Sequence, residues 1–325
     1  MRRRWVLGTV ALALVLAACG GNDDGGGGGG SAQQQYKLAL IQGVKGDQFY
    51  ITMQCGAQEA AKAAGATLTV AAPDEFDASL QTPVVNAVVA TKPDAILIAP
   101  TDTQAMIPPL TQAKAAGIKL IFVDTTTENG AELAESEIAS DNEEGGREAA
   151  RSLAELTGGK GSVAVINVKP GISTTDARAK GFEEEIKKTP GLKYVGVEYS
   201  NDKPEEAASK ATAALAAHPD LVGIFGTNLF SAEGAATGLR SAGATNVKIV
   251  GFDAGPKQVE DLQQGIVQAL IAQKPADIGK AGVEQAVAAL KGEPVQKTIG
   301  TGFVVVTKEN MNDPDVKPFL YKSSC

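Results

Sequence analysis

The sequence predicts an α/β fold in which parallel sheets, covered by helices on both faces, are divided between two similar lobes. Two features carry that prediction: alternating strands and helices, and an internal repeat. Short β-rich runs begin near Lys37, Thr67, Ala95 and Ile118, and again near Ser162, Tyr194, Leu221 and Val247. Ala-rich amphipathic stretches lie between them, among them 49–64, 80–90, 104–116, 205–217 and 231–242. Runs spaced 23–32 residues apart suit successive βα units, which produce parallel strands with helical crossovers.

The repeat divides this pattern in two. KPDAILIAPTD at 92–102 is echoed by HPDLVGIFGTN at 218–228, an offset of 126 residues. AGIKLIFVD at 116–124 is echoed by AGATNVKIVGFD, which ends 129 residues later at Asp253. Each copy holds one apolar strand ending in Asp102 or Asn228 and a second ending in Asp124 or Asp253. Ligands of open parallel sheets bind beyond the carboxyl ends of the strands. The repeat therefore predicts two Rossmann-like lobes whose polar strand ends face one another.

The first residues point outside the cytoplasm. Arg2, Arg3 and Arg4 precede an apolar run from Trp5 to Leu16, too short for a membrane span, and the run ends in Ala17-Ala18-Cys19-Gly20. That string is similar to a bacterial lipobox, with cleavage after residue 18 and a diacylated Cys19. A Gly-rich stretch to residue 35 follows and is expected to act as a flexible tether. The chain from Tyr36 onward is long enough for two cores. Loss of the three leader arginines, with no acid among residues 1–18, moves the net charge from −8 to −11. An acidic surface argues against a nucleic-acid partner. Besides Cys19 the chain has only Cys55 and Cys325, which in an oxidising compartment are expected to form one disulfide pinning the tail 310–325.

Catalytic chemistry is thinly represented. His218 is the sole histidine, in a turn where the repeat has Lys92, so no Ser-His-Asp triad is expected. There is no phosphate-binding G-x-x-x-x-G-K-[ST] loop, and no Cys/His cluster has metal-ligand spacing. Gly158-Gly159-Lys160-Gly161 reads as a helix stop. The runs Glu143-Glu144 and Glu183-Glu184-Glu185 read as helix dipole partners and solvated faces. Neither cofactor, metal nor enzymatic activity is expected.

From Lys37 to Lys308 the chain resembles the ribose-type (type I) periplasmic sugar-binding proteins of ABC transporters. The residues that carry the resemblance are Leu38–Ile41 leading to Phe49-Tyr50, then Ile98–Asp102, Phe122–Asp124, Ile138–Asn142, Gly251–Asp253 and Ala272-Gln273. It implies two αβα lobes joined by a three-stranded hinge, with crossovers near Ser140, Lys274 and Phe303. The first lobe would comprise 36–140 plus 275–303, and the second 141–274 plus 304–325 with the tail. It further implies a monomeric solute-binding lipoprotein, held at the membrane by Cys19, that presents a monosaccharide or polyol to an ABC permease. A sensory receptor of the same fold is the alternative.

A sugar site needs carboxylates and amides for hydroxyls and rings for C–H faces. Asp253 and Asp124 end equivalent strands, and the resemblance gives both to ligand hydroxyls. It also assigns Asn228, Gln273 and Asp47 as polar ligand residues, and Phe49 and Tyr50 as stacking rings. Three positions depart from the ribose pattern. Asp176 stands where an arginine meets the sugar, Thr125 where an arginine follows Asp124, and Asp202 where the second lobe has a stacking ring. The family's second arginine, kept as Arg178, usually supports the fold. These exchanges favour a ligand richer in donors than ribose: a hexose, an inositol, a linear polyol or a cation. Lys169 is a candidate for the missing positive charge.

The mature protein, extracted from membranes, should have the intact mass of a chain beginning at a diacylglyceryl-modified Cys19. Retention of Met1, or a different unlipidated start, would refute the processing.

Overall fold

A computed structural model describes residues 35–325. The leader, Cys19 and the Gly-rich tether lie outside the described residues. The first lobe runs β1 (Lys37–Ile41), α1 (Gln48–Ala63), β2 (Thr67–Ala71), α2 (Ala78–Ala90), β3 (Ala95–Ile98), α3 (Ile107–Ala115), β4 (Lys119–Val123), the single turn α4 (Gly130–Leu133) and β5 (Ser136–Ser140). The second runs α5 (Asn142–Leu156), β6 (Gly161–Asn167), α6 (Ser173–Ile186), β7 (Leu192–Tyr199), α7 (Pro204–Ala217), β8 (Leu221–Gly226), α8 (Leu229–Ser241), β9 (Lys248–Phe252), α9 (Pro256–Gln264) and β10 (Ala269–Ala272). Then α10 (Pro275–Lys291) and β11 (Thr298–Thr301) pack with the first lobe, and β12 (Val304–Val306) with the second. The chain thus passes between lobes three times, after β5, β10 and β11. Among the described residues no helix is long and apolar enough to cross a membrane.

Each lobe is built on a six-stranded sheet of the same order, β2-β1-β3-β4-β5-β11 in the first and β7-β6-β8-β9-β10-β12 in the second. This is the two-lobe α/β architecture the repeat predicts. All neighbours pair in parallel except β12, which is antiparallel to β10. The interior strands β3 (AILI) and β10 (ALIA), each paired on both sides, are buried at every residue. Helices cover both faces of such a sheet, so its strands read as unbroken apolar runs.

Helix starts are specified locally. Asp47 caps α1 by accepting from the Phe49 N–H at 2.7 Å, and Asp77 caps α2 by accepting from the Ser79 N–H at 2.8 Å. Pro275 opens α10, and Gly292 ends it at φ 71°. Close helix packing is specified by paired glycines. A Cβ on Gly56 of α1 would strike the Ala276 carbonyl of α10, and one on Gly279 of α10 would strike the Met53 carbonyl of α1. The second lobe repeats the device with Gly146 of α5 against Arg178 and Gly181 of α6 against Glu143. Helix α10 thus plays in the first lobe the part that α5 plays in the second.

The tail binds both lobes. Met311, Val316 and Tyr321 are buried in the core. The Tyr321 N–H donates to the Ala254 carbonyl at 3.0 Å, and the Lys322 N–H donates to Thr52 Oγ1 on α1 at 2.8 Å. Cys325 is disulfide-bonded to Cys55 on α1, across a sequence separation of 270. Closing so long a loop restricts the unfolded chain more than the folded one. Replacing both cysteines with serine should lower stability by about 2–5 kcal/mol, read as an earlier midpoint in urea melts. An unchanged midpoint would show that the tail docks without its covalent anchor.

Candidate ligand-binding site

The carboxyl ends of the two sheets face each other across a narrow cleft, the place where open parallel sheets bind their ligands. The β1–α1 loop brings Asp47, Phe49 and Tyr50, the loop before α2 brings Phe76, and β4 ends on Asp124. From the second lobe come Val168, Ile172, Thr174, Thr175, Arg178, Asp202, Asn228 and Asp253, with Gln273 entering from the crossover after β10. The lining therefore mixes four carboxylates and one cation with apolar walls on both sides.

Asp124 and Asp253 occupy equivalent places. Each follows the last residue of its strand with left-handed backbone, φ 67° and 77°, a region that Asp tolerates better than most residues. Their N–H groups donate to the next strand, to the carbonyls of Ile138 at 2.8 Å and Ile271 at 2.9 Å. Both side chains are buried and held. Asp124 Oδ2 accepts from the Tyr50 hydroxyl at 2.8 Å. Asp253 Oδ2 accepts from the Leu229 N–H at 2.9 Å, and its Oδ1 from Gln273 Nε2 at 2.7 Å and the Tyr321 hydroxyl at 2.9 Å.

Arg178 is fixed by the second lobe. Its Nε donates to Asn142 Oδ1 at 2.8 Å, its Nη1 donates to the Thr227 carbonyl at 2.9 Å, and its guanidinium lies 3.7 Å above the Phe252 ring. It supports the lobe and also lines the cleft. Asn228 both caps and orients: its Oδ1 accepts from the Ser231 N–H at 3.1 Å, while its Nδ2 donates to Asp202 Oδ1 at 2.7 Å. Two buried groups in the lining, Gln273 Oε1 and Thr175 Oγ1, have no hydrogen-bond partner among the described residues. Such groups are costly unless something in the cleft answers them.

Two of the residues read from the sequence as ligand contacts point elsewhere. The Thr125 hydroxyl donates to the Pro100 carbonyl at 2.7 Å, and the residue is absent from the lining of this cleft. Asp176 instead ties down the β6–α6 loop, accepting from the Gly171 N–H at 2.8 Å and from Asn167 Nδ2 at 3.1 Å. A carboxylate in the first turn of α6 meets nearby backbone donors before it can reach the cleft. Lys169 forms an ion pair with Asp77 across the lobes at 3.0 Å. Its partner Asp77 is held down to about 2, by Ser79 first and then by Lys169. Further bridges are the Thr103 N–H to the Gly171 carbonyl, 2.9 Å, and the Thr126 N–H to Ser173 Oγ, 3.0 Å. The lobes are thus closed on each other. Phe76, Thr174, Thr175 and Tyr321 were not singled out from the sequence; they lie in loops, a helix turn and the tail, which the strand-end repeat does not mark.

The family profile described as a periplasmic binding protein domain matches residues 38–294. The chain belongs to this family. Among relatives of this periplasmic binding protein, the ribose import binding protein of Escherichia coli is 31% identical over 275 residues, covering 84% of this chain and 90% of the relative. The ribose import binding protein of Bacillus subtilis is 28% identical, covering 85% and 88%. A solute-binding protein of an Agrobacterium vitis ABC transporter, crystallised with α-D-tagatopyranose, is 46% identical with a TM-score of 0.87, covering 89% of this chain and all of that one. Two of these relatives are thus named for ribose import, and the third belongs to an ABC transporter and holds a sugar.

Burial sets the electrostatics of the cleft. Burial first, then Asp253 and Asp202, push Asp47 well above the carboxylate range. Burial raises Asp124 to about 6 against the opposing charge of Arg178, and Asp202 to about 7 against its bond from Asn228. In the unfolded chain an Asp ionises near 3.8. Between those values the folded state holds protons that the unfolded state releases. These groups therefore add stability as pH falls from about 8 toward 4 and withdraw it as pH rises through their folded values. Asp202→Asn removes one such titration. In thermal melts the wild type should gain stability relative to this variant as pH drops from about 8 to 5; parallel curves would place Asp202 in solvent.

Proposed function

We propose that the chain is a solute-binding protein that captures a neutral monosaccharide between its lobes and delivers it to an ABC importer, anchored to the membrane through Cys19. One observation carries this reading. Four carboxyl groups, Asp47, Asp124, Asp202 and Asp253, and two buried polar atoms without a partner, Gln273 Oε1 and Thr175 Oγ1, lie between apolar walls of Phe49, Tyr50, Phe76, Val168 and Ile172. A sugar offers many hydroxyl protons on a ring with C–H faces, and Arg178 with Thr175 can answer its oxygens. The 46% identical relative bound to α-D-tagatopyranose makes a six-carbon pyranose the leading ligand. The single guanidinium fits the exchange of ribose-type cations for acids read from the sequence.

The site works by closure. Both lobes contribute hydrogen-bonding groups to the cleft, so ligand bound to both favours the closed form by its differential affinity for it. The bridges from Lys169, Thr103 and Thr126 then hold the lobes in the shape presented to the permease.

D-tagatose and related hexoses should raise the melting temperature of the protein, since a ligand that binds only the folded state stabilises it. Small-angle scattering should show the radius of gyration falling on binding. Asp253→Ala and Asp124→Ala should each weaken binding at least about tenfold, the scale of a hydrogen bond to a charged group, by calorimetry on folded variants. Normal affinity in both would misplace the site. Failure of every monosaccharide to bind would overturn the proposed ligand class.

A further inference from the structure

The two strand-end carboxylates are steadied in the same way by residues from different parts of the chain. In the first lobe Tyr50, in the first turn of the helix after β1, donates its hydroxyl to Asp124. The matching turn of the second lobe, at the start of α6 after β6, carries Thr174 and Thr175 and has no ring. The tail fills the gap. The Tyr321 hydroxyl donates to Asp253 Oδ1 at 2.9 Å and accepts from the Gln273 N–H at 3.3 Å. Its ring meets Phe49 edge-on at 5.9 Å.

We propose that Tyr321 is the second lobe's counterpart of Tyr50, a positioning residue that fixes the Asp253 carboxylate for the ligand. Three groups determine the aim of that carboxylate: the Leu229 N–H, Gln273 Nε2 and the Tyr321 hydroxyl. The first two belong to the second lobe and its crossover. Of the three, only Tyr321 belongs to the tail, a segment tied to the second lobe by the Tyr321 N–H to Ala254 and to the first by the Lys322 N–H to Thr52 and the Cys55–Cys325 disulfide. Its ring touches a first-lobe wall of the cleft while its hydroxyl holds a second-lobe acceptor, so it sets the spacing between the two.

The proposal rests on the reading of the cleft as a monosaccharide site, and calorimetry on the full chain with D-tagatose, D-arabinose, D-fucose and D-ribose separates the two. Tyr321→Phe keeps the ring against Phe49 and removes only the hydroxyl. It should weaken every sugar that the wild type binds by at least about fivefold, as Tyr50→Phe should, because each loses a bond to a charged acceptor. The melting temperature without sugar should change little. In an Asp253→Asn background Tyr321→Phe should cost less than about twofold further, since residues acting through one group are not additive. Wild-type affinity in Tyr321→Phe, or full multiplication of the two losses, would overturn the positioning role while leaving the sugar site intact. A wild type that bound none of the sugars would overturn both.

Discussion

Acidic groups gathered in a buried cleft are the constraint around which the molecule is arranged. Four carboxylates and a single guanidinium line one closed space. An ionised carboxylate loses much hydration free energy on burial unless hydrogen bonds replace the water. Asp253 gains three donors, Asp124 the Tyr50 hydroxyl, and Asp202 the Asn228 amide. Even so, Asp47, Asp124 and Asp202 hold protons more tightly than an ordinary carboxylate. A ligand that donates hydroxyl protons relieves this cost, whereas one that presents an anion adds to it. Selectivity by charge therefore precedes any fine fit of shape.

The lobes are near copies in strand order, in left-handed strand ends and in the glycine pairs that let helices touch at backbone distance. They diverge where the site needs difference. The first lobe brings Phe49, Tyr50 and Phe76 to the cleft; the second brings Arg178, Thr174, Thr175 and Asn228. One side is thus richer in ring surface and the other in hydrogen-bonding groups. The split suits a small ring with distinct faces and edge.

Much of this was legible in the sequence. Apolar runs at βα spacing marked the inner strands because buried parallel strands cannot alternate polar and apolar residues. The echo ending in Asp124 and Asp253 located the cleft because parallel sheets expose side chains at their carboxyl ends. Periodicity could not mark β11 and β12, which are short, partly exposed edge strands of four and three residues. Side-chain direction was also out of reach at Asp176 and Thr125. Each lies within a few residues of a cleft position, and hydrogen bonds, from nearby Gly171 to Asp176 and from Thr125 to Pro100 of the neighbouring strand end, decide which way it turns. Tyr321 escaped for another reason: its partners Asp253 and Phe49 are far away in the chain, and no local pattern records such a contact.

The disulfide between Cys55 and Cys325 has a topological consequence. It makes a covalent ring of nearly all of both lobes, across a sequence separation of 270. Outside the cytoplasm proteases reach exposed loops first. A single cut anywhere within the ring opens a loop but releases no fragment, because the two pieces stay joined through the sulfurs. The cut protein keeps its subunit mass until it meets a reductant. A nicked molecule thus remains one body whose two sheets can still find each other.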